Sequence, residues 1–213
     1  MKNIILLAFL FSISLVNAQQ EQVPQNAHRN SYNPEDPETV FFGLSFYFPN
    51  GLSDSSLGND YTFDAGIQFE VNVFITPQFV AGVYGKWHEG EVSNIEKIGN
   101  ISESNFSEYG LSLGYYQAIN REFNYFITAS IGGVSVRNTV PFSPDSFREN
   151  GTSYKVGGEL GYRFNQTIAF FAKVSPYYLN LDIENTAYND YLNNHFLVDV
   201  GFGLRVHLHN PNG

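Results

Sequence analysis

Cysteine is absent from all 213 residues. No disulfide can form, no thiol can act as a nucleophile, and no lipidated cysteine can follow an export signal. Basic residues are scarce: 11 Lys and Arg stand against 21 Asp and Glu, a net charge of −10. That balance speaks against nucleic acid as a partner. No apolar run reaches the roughly 20 residues that a membrane-spanning helix needs. His-Glu-x-x-His and phosphate-loop motifs are missing too, which removes the usual signatures of zinc hydrolysis and nucleotide binding.

Aromatics and glycine are plentiful, with 20 Phe, 14 Tyr and 19 Gly. They favour strands and tight turns over helices. The chain opens Met1-Lys2-Asn3, runs apolar from Ile4 to Val16, and then reaches the small residue Ala18. One positive charge, a short apolar stretch and a small-residue cleavage site form a secretory signal. Residues 1–18 are expected to be removed, leaving Gln19 first. Residues 19–38 are polar, proline-containing and aperiodic, and are expected to be a flexible leader. Residues 210–213 form a short tail.

Between residues 39 and 209, apolar and polar residues alternate with the period of two that marks half-buried strands. The pattern predicts strands at about 39–48, 61–75, 78–88, 106–119, 125–137, 153–164, 168–180 and 196–208. In the second, Tyr61, Phe63, Ala65, Ile67, Phe69, Val71, Val73 and Ile75 share one face. In the last, Phe196, Val198, Val200, Phe202, Leu204, Val206 and Leu208 do so. The parity changes at Gly132-Gly133, which predicts a bulge there, and Pro176 predicts a second irregularity. Short turns (76–78, 120–124, 165–167) alternate with long loops (49–60, 89–105, 138–152, 181–194). The fold class is therefore all-β: an eight-stranded antiparallel up-and-down transmembrane β-barrel.

The polar face decides which side is which. It carries Gly43, Gly66, Gly82, Gly110, Gly114, Gly157, Gly161, Gly201 and Gly203 and few charges. Glycine suits a crowded concave interior and only weakens an open solvated strand. The apolar face holds no Lys or Arg, either of which costs about 2–4 kcal/mol at a bilayer midplane. The apolar face is expected to meet lipid. A soluble carrier barrel requires the opposite arrangement.

Lys86, Arg137, Lys155, Arg163, Lys173 and Arg205 are expected in the lumen with Asp64, Glu70, Glu108, Glu159 and Asp199. Extrapolation from the turns puts Lys173 opposite Glu159, Arg137 near Glu108, Lys86 near Gln68 and Glu70, and His88 near Asp64. Buried charges need partners, and an eight-stranded bore is only wide enough for side chains. The set reads as a structural ion-pair plug, with an ion or proton path as the alternative. The loops are acidic, eleven Asp and Glu against Lys97 and Arg148. Interfacial aromatics are expected at Phe48, Tyr61, Trp87, Phe106, Tyr109 and Tyr154 on the loop side, and at Phe79, Tyr125 and Phe164 on the turn side.

From Thr39 onward the chain resembles the small outer-membrane barrels of the OmpX and OmpA transmembrane-domain type: export signal, eight alternating strands, long loops and short turns. Asp199, Gly201, Leu204 and Val206 match the spacing of the assembly signal that the barrel-insertion machinery reads. The chain departs from the commonest form by ending His207-Leu208-His209-Asn210-Pro211-Asn212-Gly213 rather than on an aromatic residue. The resemblance implies a Gram-negative outer-membrane location, contact with lipid and lipopolysaccharide, and a monomer. It also implies a non-enzymatic structural, adhesive or surface-contact role through the loops, with an unidentified extracellular partner. No cofactor or metal is expected; the His207/His209 pair could hold a metal weakly and the acidic rim could bind divalent cations, but a chain-end pair is usually incidental and the rim has no fixed ligand spacing. The alternatives are a lipid-A-modifying enzyme or a narrow ion channel. Lipid-A deacylation requires a Ser beside a His, and neither His88 nor His195 has one two residues on.

Overall fold

The computed structural model describes residues 38–141, 146–183 and 189–209. The expected signal peptide, the leader up to residue 37 and the tail 210–213 lie outside them. The strands are β1 (Glu38–Gly51), β2 (Tyr61–Phe63), β3 (Gly66–Phe74), β4 (Phe79–Val92), β5 (Glu103–Ala118), β6 (Phe123–Thr139), β7 (Ser146–Arg163), β8 (Ile168–Leu181) and β9 (Asn194–His209). All pairings are antiparallel. β9 closes on β1, from Glu38↔His209 to Gly51↔Leu197. β2 and β3 both pair with β4 and together make one stave. The result is the expected closed, eight-staved barrel.

Two of the short turns repeat one device. Asn120 Oδ1 accepts hydrogen bonds from the backbone N–H groups of Glu122 and Phe123, at 2.9 and 2.7 Å. Asn165 Oδ1 does the same for Thr167 and Ile168, both at 2.8 Å. A side-chain carbonyl that mimics the backbone fixes a tight reversal. At the other end, one-turn helices α1 (Ser56–Asn59), α2 (Ile95–Ile98) and α3 (Asn189–Asn193) sit in the connections.

The faces fall as the glycines imply. Leu44, Phe46, Phe69, Val83, Leu111, Leu113, Val156 and Phe202 point outward and are exposed, while Lys86, Asp199 and Arg205 point inward and are buried. Gly43 shows why the inner face tolerates glycine: a Cβ there would stand 2.6 Å from Glu70 Cγ.

Three expectations fail. The first is the bulge at Gly132-Gly133, because β6 pairs without a shift from Glu103↔Thr139 to Ala118↔Asn124. Ile127 and Ile131 face out, Val134 and Val136 face in, and the strand is regular. The extra residue lies instead at Asp64-Ala65: Phe63 pairs with Gly90, but Ile67 pairs with Trp87. That bulge turns Tyr61 and Phe63 inward against the core while Ile67 and Phe69 face out. The second concerns Arg137 and Asp64, which leave the lumen set. Without a bulge Arg137 faces outward, where it is exposed and donates from Nε to Ser146 Oγ at 3.3 Å. Asp64 is exposed in the break between β2 and β3. The third is the reach of the loops 89–105 and 138–152. Ladder pairing continues to Val92 on β4, and β6–β7 pair as far as Thr139↔Ser146. The irregularity expected at Pro176 is a gap rather than a shift: β7 and β8 keep one register on both sides of it, with Val156 and Gly157 left out of the ladder.

Candidate functional site

The lumen is filled in layers. At the turn end Phe41, Val80, Tyr116 and Phe126 form a buried aromatic plug, with Phe74 against it. Above it lies the first charged layer. Arg205 Nη2 donates to Glu159 Oε2 and stands 3.6 Å from Glu70 Oε1. Its guanidinium carbon is 4.3 Å from the Phe41 ring centre and 4.8 Å from that of Phe171. Aromatic faces attract a desolvated cation, so the arginine is held by carboxylates and rings together. Lys173 pairs with Glu159 across the β7–β8 ladder, as expected. Arg163 is buried nearer the turn end and donates to the Tyr116 hydroxyl.

The second charged layer is nearer the loops. Lys86 Nζ donates to Asp199 Oδ2 at 2.6 Å and lies 3.6 Å from Glu108. Lys155 approaches Glu108 at 3.2 Å and Asp199 at 3.9 Å. Tyr84 and Ser153 hydroxyls both donate to Glu108 Oε1 at 2.6 Å. Lys86 is the ladder partner of Gln68, as expected, but its ammonium reaches across the bore to Asp199. Lys155 takes the place beside Glu108 that was assigned to Arg137. Above this layer an apolar plug closes the bore: Leu57 of α1, Phe106, Val134, Val136, Leu179, Leu181 and Leu197.

The voids beside the two charged layers measure about 10 and 20 Å³. One water needs roughly 10–15 Å³. Each of these two voids therefore holds about one water, too little for a hydrated ion.

The loop end is organised around Asp60, which is buried. Its carboxylate accepts from Tyr191 of α3 at 2.5 Å and from Asn94 Nδ2 at 3.1 Å, and Lys97 of α2 stands 3.8 Å away. Lys97 Nζ also lies 3.7 Å from the Tyr191 ring centre. Hydrogen bonding to Tyr191, then the Asp60 charge, holds the Lys97 pKa above its ordinary value. One carboxylate thus ties three connections together. Asp60→Ala would leave the Tyr191 hydroxyl and the Asn94 amide without their acceptor, at about 1–3 kcal/mol for groups that stay buried. Limited proteolysis of the variant is expected to cut near α2 and α3 faster than in the wild type, while the barrel's heat-modifiable gel mobility is unchanged.

No protein-family model matches the chain, and comparison with curated proteins returns no match. Solved structures do match. Neisserial surface protein A superposes with a TM-score of 0.61 at 13% identity, covering 78% of this chain and 96% of that one. The outer membrane protein OprG from Pseudomonas aeruginosa gives 0.52 at 11% identity, covering 83% and 99%. This chain has the fold of the small eight-stranded outer-membrane barrels.

In this outer-membrane-type barrel the interfacial girdles are mostly where they were expected. Phe48, Trp87, Tyr109 and Tyr154 face outward on the loop side, and Phe79 and Phe164 on the turn side. Trp87 Nε1 donates to the Tyr109 hydroxyl at 3.1 Å. Phe79 to Trp87 matches the roughly 9–11 residues with which a tilted strand crosses a bilayer. Tyr61 and Phe106 are the exceptions, both turned into the bore. Of the assembly-signal residues, Asp199 is committed to Lys86, while Leu204 and Val206 are exposed on the outer face.

Three histidines, His88, His195 and His207, are bound up in packing. His88 Nδ1 meets the Tyr47 hydroxyl at 2.9 Å and its ring stacks on Phe106 at 4.6 Å; Asp64, expected beside it, bonds through its backbone N–H to the neighbouring Glu89 carbonyl at 3.0 Å and is exposed. His195 Nε2 meets the Leu192 carbonyl at 2.8 Å. Among the described residues no hydrogen bond joins either ring to a serine. His207 points inward against Phe41, 5.6 Å between ring centres.

Proposed function

We propose that the exported chain is an integral protein of the Gram-negative outer membrane whose work is non-enzymatic surface contact, structural or adhesive, made by its acidic loop end. The observation that carries this reading is the sealed bore: apolar plugs at both ends enclose charge layers whose ions are matched to each other. A barrel closed in this way offers a partner its outer wall and its two ends, and at the turn end the connections are only tight reversals. The loop end is the part with built structure, since Asp60 holds three connections in place. It is also the acidic part. By sequence it carries eleven acidic residues against Lys97 and Arg148, and Arg137 and Asp64 add one charge of each sign. Lipid and lipopolysaccharide are the proposed neighbours of the wall.

Two measurements test the reading. Purified protein in planar bilayers is expected to give no resolved conductance steps; steady single-channel currents would replace surface contact with transport. The chain has no cysteine, so Ser93→Cys, near α2, gives a single reporter. It is expected to react with a membrane-impermeant maleimide on intact cells. Labelling only after lysis would turn the loops toward the periplasm and end the surface role.

A further inference from the structure

Above the apolar plug, the loop end encloses a cavity of about 190 Å³. Its floor is Leu57, Phe106 and Val136, its walls include Tyr61 and Phe147, and Ile98 of α2 lies at its edge. One charged side chain lines it. Glu149 faces inward on the extension of β7 beyond the Tyr154 girdle position, opposite Val136 across the ladder. Its Oε2 accepts from Asn138 Nδ2 at 3.0 Å. Among the described residues no cation pairs with it, unlike the carboxylates of the bore. Burial pushes its carboxyl pKa up, and the Asn138 hydrogen bond offsets this only in part.

A half-buried carboxylate among aromatic and aliphatic walls has a definite chemical complement. Its charge calls for a cation, and aromatic faces attract cations. The apolar floor calls for a hydrocarbon body. The volume limits its size, since a dry cavity of about 150 Å³ accepts benzene. We propose that this cup is a binding site for a small hydrophobic ammonium compound, a single ring or short alkyl body carrying a protonated amine that pairs with Glu149. This goes beyond surface contact: it is a small-molecule site, and it stands or falls separately from adhesion.

The test uses phenethylamine and its neutral counterpart 2-phenylethanol, titrated calorimetrically into the full chain in detergent. Phenethylamine is expected to bind saturably and at least about tenfold more tightly than the alcohol, the scale of one desolvated cation contact. Glu149→Gln is expected to bring the amine down to the level of the alcohol and leave the alcohol unchanged. Ile98→Trp, which fills the cup from a loop position outside the barrel wall, is expected to abolish both. Unshifted heat-modifiable mobility shows that the variants are folded. Equal binding of amine and alcohol by the wild type, an unchanged amine affinity in Glu149→Gln, or no saturable binding of the amine would each overturn the proposal.

Discussion

Arg205→Met is expected to destabilise the barrel by about 3–5 kcal/mol, the cost of removing one partner from a buried ion pair. Arg205 is fully buried, and Glu159 and Glu70 both face its guanidinium. Methionine keeps most of the volume and the contact with Phe41 and Phe171, so packing loss is a minor part of the effect. What remains is two carboxylates with Lys173 as the nearest compensating charge. Urea unfolding in detergent micelles reads the change. The companion variant Arg205→Met/Glu70→Gln/Glu159→Gln/Lys173→Met removes the whole charged set and is expected to recover most of the loss, because replacing an entire buried ionic cluster by neutral groups is often close to neutral. A conducting role for these charges predicts the reverse: little change in stability, and a wild-type current that the variant alters. A loss below about 1 kcal/mol would show that the layer does not hold the barrel together.

The layers also explain which parts of the molecule were legible in its sequence. The rule that apolar side chains face out holds where lipid surrounds the wall, and there alternation assigned Val83, Leu111, Phe202 and the inner glycines correctly. Beyond the outer girdle the wall is no longer in lipid. The outside is wet, and the apolar residues turn inward to plug the bore. Val134, Val136, Tyr61 and Phe106 are all misassigned by carrying the membrane rule past its range. The apparent parity break at Gly132-Gly133 is this change of surroundings along a regular strand, whereas the real bulge at Asp64-Ala65 hid inside an unbroken apolar series. Ladder neighbours such as Glu159 and Lys173 follow from turn lengths. Contacts across the bore, Lys86 with Asp199 above all, depend on closure and strand tilt, which no local pattern encodes. The cup around Glu149 was invisible for the same reason, being assembled from all three short helices and from β2, β5, β6, β7 and β8.

The outer wall and the loop end offer a paired test of where lipid stops. Leu111 is 62% exposed and pairs with Val83, midway along β4 between Phe79 and Trp87. Ile95, at the start of α2, is 54% exposed. In water the two positions are equivalent, and arginine at either costs little, since exposed surface substitutions usually stay within about 0.5 kcal/mol. In a bilayer they differ sharply: Leu111→Arg is expected to cost about 2–4 kcal/mol, the midplane value for a cation on the lipid face. Ile95→Arg is expected to change nothing. Reversible unfolding from phospholipid vesicles measures both, and the same variants in denaturing urea without lipid give the reference. A large penalty at position 111 alone places the apolar wall in lipid and the short helices outside it. Equal and small effects at both positions would mean that the exposed apolar band is covered by something other than a membrane, and the surface role of the loop end would lose its physical basis.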